Sequence, residues 1–316
     1  MSSLLSIARQ SAVFAAFCLL ASFSQAEKCD SSTHCVRVGT WNIAWLGGEK
    51  RDQASDTKTI QGMADMISDQ WSIDLISLQE INTSIDGMYR GDHYSTRPWQ
   101  ELRSALEKKG YKTAVGNSGQ GQRVVMAWRK PVIADAAVAE LNVPDSYQVN
   151  EWCRSSQLRR PLAGKFRADK FDFWLIAVHL KSGFGNQGHC SDDVRGLQTY
   201  YLAGELKKLE QSDRDIIALG DFNTSGKNKS LEALLAMGLD ATTEKGDRNP
   251  ESFNRSQGKG KYGKILDHIM IKKKDTGEWR KQSTTIYKPQ NSEPFTKQFS
   301  DHFPVWADFN TQTDDD

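Results

Sequence analysis

The chain has 316 residues, of which 38% are hydrophobic and 26% charged, and its 41 Lys and Arg residues nearly balance its 40 Asp and Glu residues. A chain of this length and composition can bury a large core, so disorder, collagen and coiled coil are excluded as descriptions of the whole chain. Because the charges balance, overall charge alone does not hold a polyanion, and any preference for phosphate must be local.

The first 26 residues have the pattern of a secretory signal peptide. Arg9 precedes an apolar stretch over residues 11–23, and Ser24 and Ala26 place small residues at the −3 and −1 positions of a cleavage site. The stretch is shorter than the roughly 20 apolar residues of a membrane-spanning helix, and no later segment is long enough. We therefore expect a secreted or periplasmic protein without stable membrane association. An uncleaved N-terminal anchor is the less favoured alternative.

Four cysteines follow the signal peptide: Cys29, Cys35, Cys153 and Cys190. An even number in an exported protein indicates two disulfides, for which three pairings are possible. We favour Cys29–Cys35, which closes a small N-terminal loop, and Cys153–Cys190, which joins two loops. A metal site is the weaker alternative, because no C-x-x-C spacing is present.

Strands and helices alternate from residue 36 to residue 309, without an internal repeat or a linker. Apolar runs predict strands at 36–43, 74–79, 111–115, 124–128, 165–166 extending through 171–178, 216–219, 265–271 and 304–309. Helical spacing predicts helices over 60–71 after an Asp56 cap, 98–110, 194–209 and 231–237. This order favours an α/β sandwich of two mixed sheets flanked by helices. We expect one domain over residues 27–310 and an acidic tail at 311–316.

Acidic, amide and histidine side chains collect where the apolar strands end or begin. The set consists of Asn42, Glu80, His179, Asp221, Asn223, Asp267, Asp301 and His302. A carboxylate beside a buried strand costs several kcal/mol unless it is paired or binds a metal. Any one of these residues has an ordinary structural explanation, such as a paired strand-edge acid or a hydrogen-bonded core histidine. Together, at the strand ends of one sandwich, they predict a shared polar pocket.

The motifs around these residues resemble, in the same order, those of the endonuclease/exonuclease/phosphatase superfamily. They are GTWN at 39–42, LQE at 78–80, VHLKS at 178–182, GDFN at 220–223, LDH at 266–268 and SDHFP at 300–304. That superfamily includes DNase I, apurinic endonucleases, neutral sphingomyelinases and inositol phosphate phosphatases. The similarity spans about residues 36–309. It implies a DNase I-like fold, a four-layer sandwich of two mixed β-sheets flanked by helices, with its site at one rim of the sheets.

The resemblance also implies a divalent-metal site. Glu80 is expected to be the main ligand, with Asn42 and Asp301 in or beside the coordination shell. Oxygen ligands of this kind suit Mg²⁺, which we favour over Mn²⁺ or Ca²⁺. The metal would polarise the phosphoryl oxygen and stabilise the departing alkoxide.

The remaining residues of the set receive catalytic roles by the same resemblance. Asp221 and Asn223 would orient or deprotonate the attacking water and hold the phosphate. His302 would contact the scissile phosphate or act as a base, oriented by Asp267. His179 would supply a second hydrogen bond or a proton to the phosphate, a role that suits a side chain titrating near neutral pH.

Two further positions are compared with the family pattern. DNase I-like members carry a Glu that pairs with the first histidine, whereas this chain has Gln122, which can orient His179 by a hydrogen bond but cannot favour its imidazolium by charge. Arg159 and Arg160 both resemble the phosphate-contacting arginine of the family. The sequence does not choose between them, and ordinary surface charge is the alternative.

Local charge suggests the substrate class. Residues 247–274 contain eight Lys and Arg residues and three acids, so a basic strip surrounds Asp267 and could follow a nucleic-acid backbone. A solvated hairpin that uses lysines to protect an edge strand is the alternative. A Gly-containing loop over residues 182–193 follows His179 and could clamp substrate.

We therefore favour a monomeric nuclease that hydrolyses phosphodiesters by in-line attack of an activated water, with DNA as the favoured substrate and RNA as the alternative. A sphingomyelinase-type lipid phosphodiesterase or a phosphatase would use the same site. The lipid enzyme ranks lower, because the sequence shows no apolar hairpin with clustered aromatic residues. A polyanion-binding protein without turnover is the third hypothesis, and the intact set of acidic, amide and histidine residues argues against it.

Overall fold

The computed structural model describes residues 29, 33–47, 57–82, 97–183, 190–243, 252–253 and 264–314. Several sequence predictions fall outside these residues. They are the signal peptide, the Asp56 helix cap, the centre of the basic strip, the middle of the 182–193 loop and the end of the acidic tail.

Fifteen β-strands are found among the described residues. They are β1 (Cys35–Leu46), β2 (Leu75–Asn82), β3 (Lys112–Val115), β4 (Gln122–Trp128), β5 (Ile133–Ala134), β6 (Ala139–Glu140), β7 (Tyr147–Asn150), β8 (Cys153–Ser155), β9 (Leu162–Ala168), β10 (Phe171–His179), β11 (Ile216–Asp221), β12 (Leu239–Ala241), β13 (Asp267–Lys272), β14 (Thr285–Ile286) and β15 (Val305–Asn310).

Five α-helices accompany these strands in the described part of the chain. They are α1 (Thr57–Asp65), α2 (Arg97–Lys108), α3 (Ser191–Leu209), α4 (Glu232–Ala236) and α5 (Ser292–Gln298). A π-helical turn, Met66–Gln70, continues α1, and a 3₁₀ turn, Lys229–Leu231, precedes α4. None of the helices described is both long enough and apolar enough to cross a bilayer.

The strands form two large mixed sheets. The first has the order β14-β15-β1-β2-β4-β3, and the second has the order β12-β13-β11-β10-β9-β5, with β6 paired to β9. Each sheet contains one parallel pair among the described strands, β1–β2 in the first and β10–β11 in the second. The predicted sandwich of two mixed sheets with flanking helices is confirmed.

The core lies between the sheets, and β10 shows how the sequence builds it. Phe171, Phe173 and Leu175 point to one face and pack in the core shared with the first sheet. Ile176 and Val178 point to the other face and pack with α3 and α4. Because side chains alternate along a strand, a strand covered on both faces reads as a nearly continuous apolar run.

The structure corrects several predicted elements. The strand predicted from residue 165 to residue 178 is two antiparallel strands, β9 and β10, whose connection passes through Asp169 in the left-handed region (φ 56°). The sequence patterns do not predict α5, the short strands β5, β6, β12 and β14, or the β7–β8 hairpin, which forms a two-stranded sheet of its own. Strands of two to four residues are too short to show a periodic pattern, and α5 contains Pro294 in its first turn.

Both favoured disulfides are present. Cys29 bonds Cys35 and Cys153 bonds Cys190, with Cα separations of 5.4 Å and 5.9 Å. The second joins β8 to the residue before α3, and both of its cysteines are buried. It therefore fixes the β7–β8 hairpin against the helical layer of the second sheet.

Candidate active site

Strand directions bring the predicted polar residues to one rim. β1 and β2 are parallel, so their C-terminal ends, with Asn42 and Glu80, lie side by side. Val305 pairs with Thr40 in the antiparallel β15, so His302 precedes β15 at this same end. In the second sheet His179 pairs with Asp221, and Asp221 with Asp267.

Asn42 joins the two sheets at this rim. Its Nδ2 donates to Glu80 Oε1 at 3.2 Å within the first sheet and to Asp221 Oδ2 at 3.0 Å in the second. Its Oδ1 accepts from the backbone N–H of Ala44 at 2.9 Å. The amide nitrogen, and not the oxygen, therefore faces the carboxylates in this arrangement.

Glu80 has a left-handed backbone, with φ of 61°. The β2–β4 register shifts between Leu78 and Ile81, so the strand bulges where it presents this carboxylate. Trp45 donates its backbone N–H to Glu80 Oε2 at 3.0 Å. Burial raises the pKa of Glu80, the charge of His302 opposes the rise, and the charge of Asp301 adds to it. Glu80, Asp301 and His302 thus lie at one site.

Asp221 ends β11 directly after Gly220, which has φ of +139°. A Cβ on Gly220 would lie 2.0 Å from the carbonyl oxygen of Val178, so the close approach of β10 and β11 requires glycine here. Asp221 Oδ1 accepts from the backbone N–H of Asn223 at 2.7 Å. Burial and the neighbouring charge of Asp267 raise the pKa of Asp221 to about 7.

His302 and Asp267 form a buried pair. His302 Nδ1 lies 2.8 Å from Asp267 Oδ2, and Nε2 lies 4.0 Å from Asp221 Oδ2. Burial alone would lower the pKa of His302, but the charge and hydrogen bond of Asp267 override it and raise the pKa to about 10. The ring therefore carries a positive charge at neutral pH, with Nε2–H directed away from Asp267.

His179 is a neutral ring at the same rim. Its Nε2 lies 3.7 Å from Asp221 Oδ2 and 3.9 Å from Glu80 Oε1. Its buried Nδ1 has no hydrogen-bond partner in the described part of the chain. Burial lowers the pKa of His179 well below its ordinary value, and the charges of Arg159 and His302 lower it further.

Gln122 does not orient His179 as the sequence suggested. Its Oε1 accepts from Arg159 Nη1 at 3.3 Å, and Arg159 Nη2 donates to the carbonyl oxygen of Leu180 at 3.4 Å. Gln122 is thus a partner of the arginine. A charged carboxylate is not needed for this contact, because an amide oxygen also accepts from a guanidinium.

The structure separates the two candidate arginines. Arg159 lies in the pocket, where the charges of Glu80 and Asp221 act on it. Arg160 turns away, with Nη2 3.8 Å from a carboxylate oxygen of Asp145 and its side chain 38% exposed. Of the two arginines, Arg159 is therefore the one that lies beside the acidic residues of the rim, and the substrate-binding role predicted for this pair stays a prediction.

The sequence of the chain matches a known protein family over most of its length. A family model described as Endonuclease/Exonuclease/phosphatase family matches residues 39–302. The chain belongs to this family. Endonuclease/exonuclease/phosphatase proteins are hydrolases that act on phosphoesters and generally depend on a divalent metal. The comparison with curated proteins finds no match.

Solved structures of the endonuclease/exonuclease/phosphatase fold resemble the chain along most of its length. A family protein from Bacteroides thetaiotaomicron is 17% identical with a TM-score of 0.58, over 87% of this chain and 97% of that one. Truncated TDP2 from Caenorhabditis elegans is 15% identical with a TM-score of 0.59, over 87% and 97%. A mannosyl-6-phosphatase from Bacteroides thetaiotaomicron is 17% identical with a TM-score of 0.57, over 86% and 98%. At these identities the similarity shows the fold alone.

Oxygen donors of the rim fit the divalent metal of the endonuclease/exonuclease/phosphatase family. Asp221 and Asp267 bring carboxylate oxygens within 4.8 Å of each other beside the His302 ring, and Asp267 Oδ1 is buried without a hydrogen-bond partner among the described residues. The mutual repulsion that raises the pKa of Asp221 is relieved when a cation lies nearby. Carboxylate oxygens are the ligands that Mg²⁺ prefers in proteins.

Two serines complete the site, and the sequence analysis gave neither a role. Ser252 Oγ donates to Asp267 Oδ2 at 2.8 Å. Ser300 Oγ donates to the carbonyl oxygen of Asn42 at 2.6 Å and accepts from the backbone N–H of His302 at 3.0 Å. Ser300 precedes the Asp-His pair of a family motif, which is a usable signal. Ser252 lies fifteen residues before Asp267, and nothing in the sequence marks it.

Two lysines in the described part of the basic strip form ion pairs within the protein. Lys272 pairs with Glu210, and Lys273 pairs with Asp240 at 3.0 Å. Both lysines lie at the end of β13 remote from Asp267, about 17 Å away at the rise of a strand. These two lysines stabilise the fold. The contact with a nucleic-acid backbone stays a prediction for the exposed Lys264 and Lys274 and for the residues outside the described ranges.

Proposed function

We propose that the protein is a secreted or periplasmic, divalent-metal-dependent phosphodiesterase that hydrolyses nucleic acid, with DNA preferred over RNA. The observation that carries this proposal is the bridge from Asn42 to Glu80 and Asp221, which makes one polar pocket out of both sheets. Family membership supports phosphoester hydrolysis. The basic strip around Asp267, in which Lys264 and Lys274 are exposed, favours a nuclease over the lipid and phosphatase alternatives.

Glu80 would hold the metal, with Asp301 and Asn42 beside it. When bound, such a metal neutralises charge on the phosphoryl group and stabilises the leaving oxygen. Hard oxygen donors at this position favour Mg²⁺ or Mn²⁺.

The protein's own groups act on the phosphate and on the water. The charged His302 donates Nε2–H to a phosphate oxygen, held in orientation by Asp267. The Arg159 guanidinium adds a second positive contact. Asp221, whose pKa lies about 7, can accept a proton from the attacking water at Oδ2. The neutral His179 offers a further hydrogen bond from its ring.

A substrate panel tests the proposal. Supercoiled plasmid, single-stranded DNA, RNA, sphingomyelin vesicles and inositol phosphates are incubated with Mg²⁺ or Mn²⁺, and again with chelator. We expect plasmid cleavage that requires metal. Glu80→Gln should lower the rate about 100-fold, whereas Glu101→Gln, which removes the acid of a surface pair with Arg97, should leave it unchanged. Cleavage without metal, or none with it, contradicts the proposal.

A lipid phosphodiesterase is the second candidate, because the structure shows exposed aromatic side chains that the sequence analysis did not expect. Trp152, in the β7–β8 turn, is 77% exposed, and Tyr200 and Tyr201 on α3 are 67% and 45% exposed. Tyr201 packs against Tyr147 of β7, so hairpin and helix share this surface. Trp and Tyr are the residues that favour membrane interfaces.

Trp152→Ala separates the two candidates. A lipid enzyme should lose binding to sphingomyelin vesicles and release of phosphocholine. A nuclease without membrane contact should keep its plasmid cleavage and show no vesicle binding in either form. Cosedimentation with vesicles and an agarose assay on the same preparations measure both.

A further inference from the structure

His268 is a buried histidine that none of the proposed catalytic steps uses. It follows Asp267 on β13 and is 2% exposed. Because neighbouring residues of a strand point to opposite faces, Asp267 turns toward His302 and His268 turns toward the loop that follows β11. That loop contains Asn223, the last residue of the GDFN motif.

Hydrogen bonds fix the tautomer of His268. Its Nε2 lies 2.9 Å from the carbonyl oxygen of Thr224, and its Nδ1 lies 2.8 Å from Thr243 Oγ1. A carbonyl oxygen only accepts, so Nε2 carries the proton, and the unprotonated Nδ1 accepts from the threonine hydroxyl. The ring therefore bridges the loop and the segment that follows β12.

The bridge ends one residue from the catalytic motif. Asn223 has a left-handed backbone, with φ of 53°. Its backbone N–H holds Asp221 Oδ1 at 2.7 Å, and its Nδ2 reaches the carbonyl oxygen of Leu180 at 3.2 Å. A shift of Thr224 would pull on Asn223 and move both contacts. The His268 bond holds the Thr224 carbonyl, in the peptide between Thr224 and Ser225, and so limits the movement of Asn223.

Packing around the ring leaves little freedom. The Phe222 and His268 rings meet edge to face with centroids 5.7 Å apart. A Cβ added to Gly226 would lie 2.9 Å from Ala241 Cβ and 3.3 Å from His268 Cε1. The loop thus closes tightly over the histidine, with glycine at the point of contact.

We propose that His268 is a positioning residue, which acts through the carbonyl group of Thr224 to set the backbone of Asn223 and the orientation of the Asp221 carboxylate. The expected effect of His268 on kcat rests on the proposed function. The expected restraint of the loop after β11 does not depend on activity.

Two substitutions separate positioning from general support of the fold. The amide of Gln in His268→Gln reaches the place of Nε2 and can still donate to Thr224. The shorter amide of His268→Asn reaches only the place of Nδ1. We expect kcat to fall about tenfold in His268→Asn with KM nearly unchanged, since geometry in the transition state is lost. His268→Gln should keep kcat within about threefold of the parent.

A substitution of Gly226, which would crowd the His268 ring from the loop, tests the same contact. Gly226→Ala should press on the ring and lower kcat in the same way, whereas Gly204→Ala, whose Cβ meets nothing within 4 Å, should not. Equal kcat in parent, Gln and Asn forms contradicts the proposal. So does an equal loss in the Gln and Asn forms that follows a common loss of thermal stability.

Amide hydrogen exchange supplies a readout that needs no turnover. In His268→Asn the segment 222–228 should exchange faster while β11 keeps its protection, and His268→Gln should restore the parent pattern. Unchanged exchange in the Asn form overturns the inference. If the loop responds but the parent cleaves no phosphodiester, the proposed function fails and the positioning contact stands.

Discussion

At the scale of single residues, the rim depends on backbone conformations that most side chains avoid. Glu80 and Asn223 both have positive φ, and Gly220 lies in a region that only glycine adopts readily. Positions of this kind persist where the surrounding structure fixes them, and they concentrate at functional sites. Three of them next to the carboxylates indicate that the pocket is held in shape before any ligand binds.

Gly220→Ala should destabilise the fold strongly. The new Cβ would lie 2.0 Å from the Val178 carbonyl oxygen, so β10 and β11 must separate. We expect a loss of at least about 3 kcal/mol in the free energy of unfolding. Urea denaturation followed by circular dichroism measures it. Gly204→Ala on α3, with open space around it, should instead gain about 0.5–1 kcal/mol. A stable Gly220→Ala protein contradicts this assignment.

Asp74 makes stability depend on pH. Burial raises the pKa of Asp74 to about 6 from 3.8, against the opposing bonds of Arg37 and Arg129. The pKa of Asp74 is higher in the folded state than in the unfolded state, so protonation of Asp74 favours the folded state. The free energy of unfolding that Asp74 contributes therefore increases as pH falls from about 6 to about 4. Relative to Asp74→Asn, the parent should gain up to about 3 kcal/mol over that range.

Urea midpoints at several pH values between 4 and 7 test the role of Asp74. The stability of the parent minus that of Asp74→Asn should rise steadily as the solution is acidified from about pH 7 to about pH 4. Two curves that stay parallel across the range would show that Asp74 does not titrate there.

At the scale of elements, the Cys153–Cys190 disulfide joins β8, which precedes Arg159 in the chain, to the start of α3. From α3, Gln198 Oε1 accepts from the backbone N–H of Lys181 at 2.9 Å, and Arg195 donates to the Lys181 carbonyl oxygen at 2.5 Å. The segment directly after His179 is therefore held by a helix that the disulfide anchors. The disulfide therefore supports both the segment that leads to Arg159 and the segment that follows His179.

Removing that disulfide should lower both stability and activity. Its cysteines are 37 residues apart, so Cys153→Ser with Cys190→Ser should cost about 4 kcal/mol. Cys29→Ser with Cys35→Ser, six residues apart, should cost about 2 kcal/mol and leave the rate per folded molecule unchanged. Thermal unfolding and plasmid cleavage measure the two effects. Full activity in the first double variant would show that the anchor is not needed.

At the scale of the whole molecule, the pocket and a buried ion pair occupy opposite ends of the first sheet. Arg37 faces Asp308 across β1 and β15 and bonds it through Nε at 2.7 Å and Nη2 at 2.9 Å. Its third bond goes to the Trp71 carbonyl oxygen. Arg37 lies five residues before Asn42, about 17 Å along the strand. The domain limits predicted at residues 27 and 310 stay a prediction.

Asp308→Asn should weaken the fold without altering catalysis. It leaves the buried Arg37 guanidinium without its negative partner and places an amide nitrogen, a donor, in place of one carboxylate oxygen, which costs about 3–5 kcal/mol. The rate per folded molecule below the unfolding temperature should match the parent, because the pocket lies at the other end. Calorimetry and plasmid cleavage at low temperature check both statements, and a slower folded enzyme would contradict the second.

The sequence predicts the pocket because of how its residues are placed along the chain. Asn42, Glu80, His179 and Asp221 each end an apolar strand, and parallel strands end at one edge. The choice of Arg159 over Arg160 could not be predicted, since neighbouring loop residues show no periodicity. The pairing of Gln122 with Arg159 and of Ser252 with Asp267 depends on loop paths that local patterns do not encode.

The amide of Asn42 reaches one carboxylate on its own sheet and another across the sandwich interface. A polypeptide cut after residue 183 would keep Glu80 and His179 in one piece and leave Asp221, Asp267 and His302 in the other. Neither piece would be active alone, because the candidate site forms only where the two sheets meet. Enzyme activity should therefore be lost during denaturation at the point where the two sheets separate. An activity assay would then report whether the sheets are still packed together.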